Sequence, residues 1–69
     1  MKYILKPNVA EQIREKYKNG YIAKTSGLSM CYVSLIMNRR RDVQKRIAYA
    51  FTKSVGSDLE INDLFDMVR

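Results

Sequence analysis

The spacing Ala23-x-x-x-Gly27-Leu28-Ser29 confines the middle of this chain to two short helices meeting at a sharp turn. Gly27 falls where the backbone must turn with positive φ, a conformation that costs other residues more. Ala23 is small enough to admit a crossing helix, and Ile22 beside it faces inward. Leu28 plugs the turn from beneath, and Ser29 is a good N-cap for a second helix buried through Val33 and Ile36. Two helices joined by a tight, Gly-containing turn make a helix-turn-helix, expected over residues 19–38. Taken alone, the pattern also fits an αα-hairpin in a small bundle. The charge just outside it separates the two.

Sixty-nine residues support one domain around a single small core. One Cys leaves no intramolecular disulfide, and the absence of His and of a metal-ligand cluster argues against a structural zinc. No metal and no cofactor are expected. Stability then comes from helix packing, with a second copy of the chain as a further source. Met1 to Pro7 lack the apolar run of a signal peptide, no stretch is long enough to span a bilayer, and a free thiol fits a cytoplasmic location. With no His, no paired carboxylates in a defined setting and no Gly-rich phosphate loop, the chain is not expected to be an enzyme.

Charge is unevenly placed. Residues 1–57 hold twelve basic and three acidic side chains, a balance of +9. Residues 58–69 hold Asp58, Glu60, Asp63 and Asp66 against Arg69, a balance of −3. A basic body suits a phosphate backbone, with the acidic segment turned away from it.

Taken in order, residues 1–6 read as an edge strand or an arm that lays Tyr3 or Ile4 on the core. Pro7 starts a helix over Asn8–Lys18, with Val9, Ile13 and Tyr17 as its inward stripe. Asn19-Gly20 reads as its end, and a second helix follows over Tyr21–Ser26. The third spans Met30–Met37, with Asn38 at its C-terminus. Arg39, Arg40 and Arg41 form a loop, and Asp42 is placed to cap a fourth helix buried through Val43, Ile47, Ala50, Phe51 and Ser54. Gly56 closes that helix, and Ser57-x-x-Glu60 has capping-box spacing. A fifth, acidic helix over residues 58–69 carries Leu59, Ile61, Leu64, Phe65 and Val68, more apolar residues than one face of so short a helix buries. The expected fold is an all-α, compact five-helix bundle in one domain, 1–69.

These residues carry a resemblance. Ile22-Ala23-Lys24-x-Ser26-Gly27-Leu28-Ser29, Tyr32-Val33-Ser34-x-Ile36-x-Asn38, Ile47-Ala48-x-Ala50, Leu59 and Asp63-Leu64-Phe65 together resemble the phage Cro and repressor type of helix-turn-helix regulator, the xenobiotic-response-element-like family. The likeness runs from about Gln12 to Phe65. It implies a lambda-repressor-like DNA-binding domain, a five-helix bundle that binds an operator as a dimer. The chain departs from the family in a shorter link between its first two helices and in Arg39, which stands where the family usually has Gly.

By helical-wheel geometry and by this resemblance, Met30, Cys31, Ser34 and Leu35, with Tyr32 at the border, are the residues expected to read base edges. Family members often place Gln, Arg or Asn there, which bond bidentately to adenine or guanine. Here Ser34, Cys31 and Tyr32 supply the hydrogen-bonding groups, and Met30 and Leu35 suit thymine methyls. Direct readout is therefore expected to be modest, with phosphate contacts and DNA shape carrying more. Asn19 and Tyr21 open the second helix, where free N–H groups and the helix dipole attract an anion. Asn38, Arg39, Arg40 and Arg41 are placed to clamp the adjacent strand, with Lys24, Lys45 and Arg46 as secondary contacts. Leu64, Phe65 and Val68 are the expected dimer interface. Cys31 also reads as a small apolar filler, and Tyr17, Tyr21 and Tyr49 as residues at the core's edge. An exposed strip of Met30, Cys31, Tyr32, Leu35 and Met37 suits a protein surface as well as a groove. The alternative is thus a protein-binding modulator of the same fold, antirepressor-like, that grips another regulator.

Overall fold

Tyr3 and Leu5 alternate with Lys2, Ile4 and Lys6, and the strand's period of two places both on one buried face of β1 (Lys2–Leu5). The computed structural model describes residues 1–68; Arg69, the lone cation of the acidic segment, lies outside the described residues. Pro7 occupies the first turn of α1 (Pro7–Lys16), where its missing N–H is no loss, and Ala10 and Ile13 are buried. The helix stops two residues short of the expected end at Lys18. Tyr17 goes extended, its hydroxyl donates to the Val55 carbonyl at 3.2 Å, and its ring stacks on Tyr21 with centroids 5.4 Å apart. Lys18 is then the N-cap of α2 (Asn19–Ser26), so Asn19-Gly20 opens the second helix and does not end the first.

Gly27 closes α2 at φ 79°, in the left-handed region, and its N–H reaches the Ala23 carbonyl at 3.0 Å. Ser29 caps α3 (Met30–Met37), its hydroxyl oxygen accepting the Tyr32 N–H at 3.1 Å. Val33 and Ile36 are buried as expected. Met37 is buried too, which removes it from the exposed strip.

The next segment departs from the helical reading. Val43 exchanges two backbone hydrogen bonds of 2.8 Å with Tyr3, so it belongs to the edge of β1 and not to a helix. Strand pairing with a distant segment outcompetes the local period. The helix α4 (Lys45–Val55) starts after Gln44, whose side chain makes no cap, and Asp42 stays exposed outside it. Its buried face is Ala48, Phe51 and Thr52, rotated from the expected stripe, with the Thr52 hydroxyl donating to the Ala48 carbonyl at 2.8 Å. Gly56 follows in an extended conformation, not a left-handed one. Its requirement is space: a Cβ there would stand 2.6 Å from Leu59 Cδ1.

The final helix is a single turn, α5 (Ile61–Leu64), closed by a capping box between Glu60 and Asp63 and not from Ser57. At Phe65 the chain becomes β2 (Phe65–Val68), antiparallel to β1 with Leu5 opposite Phe65 and Lys2 opposite Val68. The expected fifth helix over residues 58–69 is thus reduced to one turn, Ile61–Leu64, followed by the strand Phe65–Val68, and the fold is a small helical one with a two-stranded sheet rather than all-α. Phe65 meets Phe51 edge-on at 5.6 Å, with planes 83° apart. The surplus of apolar residues is resolved inside the chain: Leu64 and Phe65, two of the expected interface residues, are 3% and 2% exposed in its own core. Among the described residues, five helices surround that core, and no helix is long and apolar enough to cross a membrane.

Candidate nucleic-acid interface

The turn at Gly27 and the cap at Ser29 fix how α3 sits. With Val33, Ile36 and Met37 turned inward, the opposite side of α3 is left to solvent. Met30 is 60% exposed, Leu35 36%, and Cys31 is exposed as well. Ser34 is half-buried, and its hydroxyl oxygen accepts the Asn38 side-chain amide at 3.4 Å. Tyr32 is also half-buried, and the Arg41 guanidinium lies over its ring at 5.2 Å. Of the five residues expected to read bases, three are thus openly presented and two partly covered.

The start of α2 meets the start of α3 in a shallow groove of about 750 Å3, lined by Asn19, Tyr21 and Met30. Lys16 and Lys18 line the same groove. Neither is among the contacts expected from the sequence. The extended Tyr17-Lys18 link, which no local signal announces, swings them toward Met30. Lys24 is exposed on the last turn of α2.

Beyond the other end of α3 the backbone is held by polar contacts. Arg14 Nη2 donates to the Asn38 side-chain oxygen at 2.6 Å and to the Met37 carbonyl at 3.3 Å. Sequence reasoning missed Arg14, because its partners lie 23 and 24 residues away. Arg39 adopts φ 56°, the left-handed conformation that glycine takes most readily. Its Nε donates to the Leu5 carbonyl at 2.8 Å, fastening the loop to β1. Arg39 is therefore partly committed to holding the backbone although, like Arg40 and Arg41, it is exposed, and Arg41 also covers the Tyr32 ring.

The remaining expected contacts are not all brought together. Lys45 lines a separate cleft with Tyr49, Lys53 and Glu60, away from the arginines. Val68 is half-buried and lines the arginine cleft itself, so of the three expected interface residues only Val68 retains accessible surface.

What the arrangement offers chemically is a short helix with an apolar and weakly polar outer side, flanked at both ends by cations. Charged donors there suit oxyanions, and the helix face suits a shallow apolar contact. No protein-family model, no curated protein and no solved structure matches the chain.

Proposed function

We propose that this chain binds double-stranded DNA sequence-specifically, as a small phage- or prophage-type transcriptional regulator of the Cro-like repressor kind. In this reading α2 and α3 form a helix-turn-helix, and α3 lies in the major groove. One observation carries it. The solvent side of α3 is bracketed by Lys16, Lys18 and Asn19 at its start and by Arg40 and Arg41 beyond its end. Cations so placed can grip the phosphates on either side of a groove while α3 meets the bases. A dimer on a two-fold operator belongs to the proposal. With Leu64 and Phe65 in the core, the exposed Met67 and half-buried Val68 of β2 are the apolar residues left near the expected interface.

A titration of the DNA flanking the protein's own gene, against a random duplex at two salt concentrations, tests the proposal. Preference for the flanking DNA and a steep fall in affinity with salt are expected. A second reading, a modulator that grips another regulator, is favoured by the exposure of Tyr21 (50%), Met30 (60%) and Leu35 (36%). It predicts no DNA binding and a protein contact that is weakly salt-dependent.

A further inference from the structure

Between the arginine loop and the outer face of the sheet lies a cleft of about 400 Å3 lined by Lys2, Arg39, Arg40 and Arg41. Lys2 is far from the arginines in sequence. Two features bring it there: the paired backbone bonds between Tyr3 and Val43, and the bond from Arg39 Nε to the Leu5 carbonyl. Loop and strand are thereby fastened to each other, which brings the four cations to one cleft. Among the described residues Asp42 is the single carboxylate lining the cleft; Asp66, on the same sheet face opposite Ile4, does not line it. The floor includes Ile4 and Val68.

We propose that this cleft is a phosphate-binding site, built from Lys2 of β1 together with Arg40 and Arg41, with Arg39 as the positioning residue. It rests on the DNA reading above for its natural occupant, a backbone phosphate just beyond the C-terminal end of α3. Four like charges around so small a space repel one another, and a compact anion relieves that repulsion. Guanidinium groups match phosphate oxygens in forked pairs, whereas Lys2 adds a point charge. Phosphate is favoured over an acidic peptide because the cleft is continuous with the loop that ends α3. β1 is then part of the binding surface as well as of the core.

Two measurements test this together. The first is the slope of log affinity against log salt for wild type, Lys2→Gln and Lys2→Arg, on the flanking and the random duplex. Lys2 is exposed, so these variants leave the core intact. Lys2→Gln should flatten the slope by about 0.9 on both duplexes, and Lys2→Arg should restore it. The second is backbone amide shifts on adding inorganic pyrophosphate, expected at Lys2, Arg40 and Arg41 and not at Lys45 or Lys53. A wild type that binds DNA with an unchanged slope in Lys2→Gln overturns the proposal. A wild type that binds no DNA yet shows the pyrophosphate shifts upholds the phosphate cleft and rejects the DNA reading. Absence of both effects overturns both. Competition by a polyglutamate peptide at the same concentration as pyrophosphate also overturns it, in favour of an acidic protein partner.

Discussion

Gly27 and Arg39 share a backbone region and satisfy it differently. At Gly27 an added Cβ would meet nothing within 4 Å, so any penalty there belongs to the backbone alone. Gly27→Asn should therefore be nearly neutral, because Asn tolerates the left-handed region, while Gly27→Val should lose about 1–3 kcal/mol. Thermal melts of the two variants check this, and equal midpoints would disprove the argument. Arg39 endures the same strain at φ 56° and recovers part of it through its bond to the Leu5 carbonyl. Arg39→Gly gives up the bond and relieves the strain, whereas Arg39→Ala gives up the bond and keeps the strain. Chemical denaturation should accordingly find Arg39→Gly the more stable by about 1 kcal/mol.

At the scale of elements, α2, its turn and α3 were legible because every signal there is local: a small residue, a turn glycine, a cap and an i, i+3 pair within fifteen residues. Local signals failed at Val43 and at Phe65–Val68. Ile61, Leu64, Phe65 and Val68 keep a helical period, yet Phe65-Asp66-Met67-Val68 is as good a strand, and the tie is broken by β1, which no window around residue 65 contains. The candidate site divides in the same way. Met30, Cys31, Leu35 and Tyr21 could be placed from the sequence, but Lys2, Arg14, Lys16 and Lys18 join it only through tertiary contacts. In the DNA reading the elements also divide the labour. Replacing Arg40 and Arg41 with Ala should weaken binding to specific and random duplexes by similar factors and flatten the salt slope. Leu35→Ala should alter the preference between duplexes and leave the slope nearly intact. Fluorescence titrations at two salt concentrations separate the outcomes, and an unchanged slope in the arginine variant would place the loop away from the phosphates.

For the whole molecule, the pairing of Leu5 with Phe65 joins segments sixty positions apart in number. It has a consequence for the protein's birth on the ribosome. The α2–α3 pair, close in sequence, can form as soon as it emerges. Tyr3 and Leu5 are made early, but β2, opposite both, is made sixty or more positions later; Tyr3 can bond Val43 in the meantime, whereas Leu5 must wait for Phe65. Nascent chains halted after Leu64 should therefore be cut readily by protease, and chains extended through Val68 should resist. The purified truncated chain should lose about 3–5 kcal/mol, the range for removing a buried Phe ring. Equal protection of the two nascent chains would mean that the helices close the core without the sheet. Otherwise the core closes only once β2 is made, and chains that have not yet reached it are open to association through the waiting edge of β1.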